Sequence, residues 1–127
     1  MRVEKKAAPL AAADPLARPR RPPRLAPGDC VAVVAPAAAI DRPSLERGVR
    51  VLAALGYRVR VAPEAYRQSA YLAGADEVRA ASLRAALRDP EVRGVFLARG
   101  GYGSARLLPL VEDTLRECEP KILVGYS

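Results

Sequence analysis

The sequence contains no histidine and no tryptophan, and it has a single phenylalanine, Phe96. Without histidine, a Ser-His-acid triad cannot be completed within these 127 residues, and the usual catalytic zinc site loses its commonest ligand. Without large aromatics, any core must be built from Ala, Val and Leu side chains, which supply nearly all of the 50% hydrophobic residues. No apolar run approaches the 18 or so residues of a membrane span. The N-terminus has neither the apolar stretch nor the small-residue cleavage site of a secretory signal. The expectation is therefore a cytoplasmic protein with no membrane partner. Cysteine is scarce as well. Cys30 and Cys118 lie far apart with no C-x-x-C pairing, so they read as buried free thiols rather than a disulfide. No metal site and no cofactor are expected.

The formal charge of +7 points to nucleic acid until it is located. Residues 1–24 hold seven of the basic side chains (Arg2, Lys5, Lys6, Arg18, Arg20, Arg21 and Arg24) against only Glu4 and Asp14. The remaining residues are nearly balanced. The basicity thus belongs to a Pro/Ala/Arg-rich segment with five prolines and no apolar periodicity, a composition that cannot bury enough surface to order itself. Residues 1–24 read as a solvated, disordered tail. No aromatics interleave with its charges to stack on bases, which argues against a nucleic-acid arm.

Residues 25–127 are long enough for one domain with a real core. Pro27-Gly28-Asp29 forms a turn into Cys30–Ala35, a continuous Val-rich run of the kind found in strands buried on both faces. Asp41 is a candidate N-cap with Pro43 in the first turn, and Leu45, Val49, Leu52 and Leu55 share one helical face that Gly56 terminates. Tyr57–Ala62 alternates apolar and Arg residues, as a strand near a sheet edge does. Pro63–Gly74 is irregular. Asp76 is placed to cap a second helix running to about Arg88, with Val78, Leu83, Ala86 and Leu87 inward, and Asp89-Pro90 stops it. Val92–Ala98 contains a third strand, Gly94–Ala98. A helical region with Leu107, Leu108, Leu110 and Val111 buried follows, and Ile122–Val124 is a fourth apolar strand. This alternation predicts an α/β fold: an open, mostly parallel sheet with helices on both faces, flavodoxin-like or class I glutaminase-like.

Ligands of such sheets bind at the carboxyl ends of the strands. Two segments lie there, Arg99-Gly100-Gly101-Tyr102-Gly103 and Gly125-Tyr126-Ser127, and they are expected to share a crevice. The glycine loop superficially matches a dinucleotide fingerprint. However, Arg106 stands where a third glycine belongs, and the loop follows the third strand rather than the first. Its glycines read either as a tight turn or as backbone N–H groups brought close to a reacting carbonyl. Ser127 reads as a helix N-cap or as the serine of a G-x-S elbow, and the two roles are compatible.

Taken in order, Leu25-x-Pro27-Gly28-Asp29, Ala35-Pro36-Ala37, Tyr71-Leu72-Ala73-Gly74, Asp76-Glu77, Arg99–Gly103, Leu107-Leu108-Pro109 and Gly125-Tyr126-Ser127 resemble the LD-carboxypeptidase family. That family includes murein tetrapeptide carboxypeptidases and microcin immunity peptidases. The resemblance covers Leu25 to Ser127 and implies an N-terminal domain that ends at the nucleophile elbow. It implies that Ser127 is the nucleophile and that Gly101 supplies an oxyanion N–H, with Arg99, Gly100 and Tyr102 lining the substrate. The family's Glu and His belong to a C-terminal domain with no counterpart in these residues. Relatives often carry a serine where this sequence has Ala37-Ala38-Ala39. The substrate implied is a murein peptide ending in D-alanine, and a homodimer is the implied assembly. These 127 residues alone are expected to be inert. Two alternatives differ in class. A glutaminase-like amidohydrolase would want cysteine at the elbow, and a noncatalytic binding module would account for the absent histidine.

Overall fold

The computed structural model describes residues 18–67 and 71–127. Four parallel strands form one sheet: β1 (Cys30–Val34), β2 (Arg58–Val61), β3 (Val92–Leu97) and β4 (Ile122–Val124), in the order β2-β1-β3-β4. Three helices connect them, α1 (Arg42–Ala54), α2 (Asp76–Arg88) and α3 (Leu108–Glu117). Single 3-10 turns at Pro63–Tyr66 and Ser104–Leu107 precede α2 and α3. The expected α/β architecture is the one observed, with helices on both faces.

Strand β1 is central and buried throughout, which is why its sequence is apolar without alternation. Cys30, Ala32 and Val34 face α2, joining Ala86, Leu87, Val92 and Val95. Val33 faces the other way, toward Leu45, Val49 and Leu52 of α1 and Phe96 of β3. A smaller cluster of Ala80, Leu107 and Val111 locks α3 against α2. As expected, β2 is an edge strand, alternating exposed arginines with half-buried valines. Helix α1 begins as its sequence predicts. The Asp41 carboxylate accepts the Ser44 N–H at 2.9 Å, Pro43 sits in the first turn, and Gly56 takes φ +94° after the last turn.

Several packing expectations are corrected. Leu55 caps the C-terminus of α1 beyond its buried stripe and is 59% exposed. Leu108 is the first residue of α3, where its side chain projects past the helix interface into solvent. Asp76 does not cap α2: Ala75 holds the N-cap position without a side-chain bond, and the Asp76 carboxylate turns to two arginines. Of the residues expected inward on α2, Val78 and Leu83 are only half-buried, whereas Arg79 is wholly enclosed. Strand β4 is an edge strand with Leu123 and Val124 exposed. Cys30 and Cys118 are free thiols, the first buried and the second half-buried.

Most of the expected tail, residues 1–17, lies outside the described residues. Arg18–Arg24 form no helix or strand, and Arg20 makes an ion pair with Glu119 at 3.3 Å. No helix among the described residues is long and apolar enough to cross a membrane.

Candidate active site

From β1 the chain turns one way to β2, while β3 lies on β1's other side. The loops leaving β1 and β3 therefore diverge, and a crevice opens between them at the carboxyl end of the sheet. The loop after β1, Ala35 through Ala39, is buried and almost wholly alanine. A short antiparallel contact pairs it with Tyr71–Ala73: Ala39 N–H donates to the Tyr71 carbonyl at 2.9 Å and Ala73 N–H to the Ala37 carbonyl at 3.1 Å. This pairing carries the Tyr71 hydroxyl over the glycine loop.

The Arg99–Gly103 loop packs so tightly that side chains cannot replace its glycines. A β-carbon on Gly100 would overlap the main-chain oxygens of Tyr126 and Ser127 and lie 3.0 Å from the Ser127 Cβ. On Gly101, at φ +110°, it would overlap the Tyr71 hydroxyl and sit 3.3 Å from the Ala38 Cβ. The small residues of the first loop are thus the floor on which the glycines rest. The two segments expected to share a crevice do share it: Gly101 N–H donates to the main-chain oxygen of Ser127 at 3.3 Å.

Ser127 has φ +59°, and no other non-glycine residue described has a positive φ. Left-handed backbone at a serine costs free energy, and such conformations cluster at functional sites. The expected substrate-lining residues divide. Tyr102 is 66% exposed at the rim, available to a ligand. Gly100 is spent on close approach to the elbow. The Arg99 side chain donates Nη1–H to the Ala39 carbonyl at 2.8 Å, tying the β3 loop to the β1 loop.

The residue that the sequence pattern did not single out is Arg79. Its Nε donates to the Gly74 carbonyl at 2.9 Å and its Nη1 to the Gly103 carbonyl at 3.1 Å and to the Pro36 carbonyl, while Nη2 pairs with Asp76. The other Asp76 oxygen takes Arg106 Nη2 at 2.9 Å. The signal was positional. Arg79 lies three residues after Asp76 and four before Leu83, on the stripe that faces the sheet, where an arginine needs a reason. Among the described residues, no three His, Cys, Asp or Glu side chains cluster as metal ligands would.

The sequence matches the LD-carboxypeptidase N-terminal domain (peptidase S66) over residues 31–127. It is 38% identical over 107 residues to the "Probable murein peptide carboxypeptidase" of Bacillus subtilis, covering 84% of this chain and 34% of that protein. It is 36% identical over 98 residues to the murein tetrapeptide carboxypeptidase of Pseudomonas aeruginosa, covering 76% of this chain and 32% of that one. Among solved structures, the MccF-like protein from Bacillus anthracis superposes with a TM-score of 0.78 at 29% identity, over 86% of this chain and 34% of the other. The wild-type microcin C7 self-immunity protein MccF gives 0.79 at 26% identity, over 86% and 33%. The chain thus spans about a third of the length of the relatives it matches. That shared third runs from the buried central strand to the strained serine beside the glycine loop, and the chain belongs to the LD-carboxypeptidase family.

Proposed function

We propose that these residues form the nucleophile-bearing part of a serine-type LD-carboxypeptidase acting on murein peptides, with Ser127 as the nucleophile. The observation that carries this reading is the positive φ of Ser127, three residues past the end of a parallel strand and against a glycine loop with no room for side chains. The relatives' names support murein peptides as the substrate class, and the bond proposed to be cut is the one joining the L-centre of a diamino acid to a terminal D-alanine. In this reading the Ser127 Oγ attacks the carbonyl carbon while a base removes its proton. The C–N bond then breaks, D-alanine leaves with a proton on its nitrogen, and water hydrolyses the remaining ester. Amides of the glycine loop and of the residue after the serine hold the negative charge on the carbonyl oxygen. With no histidine in the sequence, a histidine base in this reading would be contributed from outside these 127 residues.

The test joins the whole 127-residue chain to the C-terminal part of the Bacillus subtilis relative and measures D-alanine release from a murein tetrapeptide. Release is expected, and Ser127→Ala should lower it by about a millionfold, the scale of losing a triad nucleophile. The 127-residue chain alone should release nothing and resist a serine-directed fluorophosphonate. Turnover that survives Ser127→Ala, or release by the isolated chain, would refute the assignment.

A further inference from the structure

A fully enclosed guanidinium is costly unless every direction it points is answered, because desolvation of the charge outweighs a partial set of bonds. Arg79 is 0% exposed, and each of its three nitrogens has a partner. Three of those partners are main-chain carbonyls at the carboxyl end of the sheet. Pro36 belongs to the loop after β1, Gly74 to the turn into α2, and Gly103 to the end of the glycine loop. A residue needed only to fill space there could be apolar, since buried ion pairs seldom stabilise more than a well-packed hydrophobe does. What the guanidinium adds is direction: it fixes where three loops lie relative to one another.

We propose that Arg79 is a positioning residue that sets how the glycine loop faces Ser127. The proposal rests on the reading of Ser127 as nucleophile for its functional meaning, though not for its geometry. Gly103 is shaped around Arg79. It has φ +132°, and a β-carbon there would come within 3.3 Å of Arg79 Nη1 and 2.7 Å of Leu72 Cδ2. Two residues upstream, Gly101 donates its N–H to the Ser127 main-chain oxygen. Pull on the Gly103 carbonyl is therefore transmitted through one intervening residue to the amide beside the elbow. Asp76 reinforces the hold, since it pairs with Arg79 through one oxygen and with Arg106, just past the loop, through the other. Gly100, Gly101 and Gly103 have no side chains to define the loop's conformation, so it rests on bonds from outside such as the one Arg79 donates to the Gly103 carbonyl.

The test uses the whole 127-residue chain and amide resonances in two-dimensional 1H–15N spectra, so catalysis does not enter. Arg79→Met keeps the length of the side chain and removes its donors. Leu87→Ala, in the same helix but buried under β1 and β3, serves as a control of similar destabilisation. Arg79→Met is expected to move the Gly100, Gly101, Gly103 and Ser127 amides while leaving Val31–Val33 in place, whereas Leu87→Ala should move the strand amides instead. Methylguanidinium added to Arg79→Ala should return the loop resonances toward their wild-type positions. Should Arg79→Met fail to fold, Asp76→Asn, at a half-exposed position, is expected to shift the same loop amides. The inference is overturned if the loop and Ser127 amides stay put while the melting temperature falls, or if they move no more than in the control. Absence of D-alanine release from the joined polypeptide with Arg79 intact, with the amide pattern as expected, would sink the hydrolase reading and leave the role of Arg79 standing.

Discussion

The interior of the sheet and the rim of the crevice adjoin each other, with Ala98 N–H still bonded to the Val34 carbonyl at 2.8 Å, but they are built by different forces. In the interior, β1 and β3 bury Val31, Val34 and Val95 almost completely between helices, and the sequence there is a nearly unbroken apolar run. The rim loops are built largely of alanine and glycine, which bury little apolar area of their own. What holds it is directional: Arg79 to three carbonyls and Asp76, Arg99 to Ala39, and Gly101 to Ser127. Burial of apolar area is nondirectional and tolerates rearrangement, whereas hydrogen bonds to main-chain groups fix position at modest net free energy. The interior should therefore govern stability and the rim geometry, and the two can be broken separately.

The largest effect expected is from a charge in the interior. Val95 and Leu123 are register neighbours on β3 and β4, one fully buried and the other 55% exposed. Val95→Asp places a carboxylate with no partner in the core, a cost of several kcal/mol against a total stability of about 5–15 kcal/mol for a domain of this kind. The cooperative thermal transition followed by circular dichroism should be lost at neutral pH. Leu123→Asp, one strand over, should change stability by about 0.5 kcal/mol or less. Equal losses for the pair would mean that the edge strand is as important to the fold as the interior.

The same division explains what the sequence disclosed. The strands and α1 were legible because period, length and the Asp41 and Gly56 caps all act locally, and the observed bounds fall within one or two residues of those expected. The crevice was legible as a location, since strand ends and glycines mark it. Its fastening was not. The bonds of Arg79 cross 24 and 43 residues of sequence to Gly103 and Pro36, and no local pattern encodes a contact of that separation. Asp76 misled for a related reason: a carboxylate at a helix start looks like a cap, but two arginines compete for it and win with charge. Leu55 and Leu108 continued an apolar stripe past the point where the partner surface ends.

An intermediate effect is expected at the glycines, and here activity should fall further than stability. Gly101→Ala puts an L-residue at φ +110° against the Tyr71 hydroxyl, which can swing aside, while Gly100→Ala meets main-chain oxygens that cannot. In the joined polypeptide, Gly101→Ala should lower the turnover rate about 100-fold, the scale of losing one oxyanion donor. Gly100→Ala should lower it at least as much by displacing the elbow. Both variants should still melt cooperatively. A turnover rate unchanged by either would make the loop a turn and nothing more.

The smallest effect is at Asp41, where the rim meets α1. Its carboxylate accepts the Ser44 N–H, and that bond, before any charge effect, holds its pKa below the ordinary aspartate value. A carboxylate with a depressed folded-state pKa stabilises the fold at pH values above its unfolded pKa of about 3.9, and the contribution disappears as pH falls through the lower folded value. Asp41→Asn keeps an acceptor for the Ser44 N–H but removes the charge that favours a helix N-terminus. The side chain is fully solvated, so the difference in melting temperature between the two proteins at pH 7 should be small and should shrink with added salt. It should close altogether as the pH is lowered past the folded pKa, because a protonated Asp41 then differs little from asparagine. A difference that persists unchanged down to pH 2 would show that Asp41 acts through shape alone and that charge has no part in starting α1.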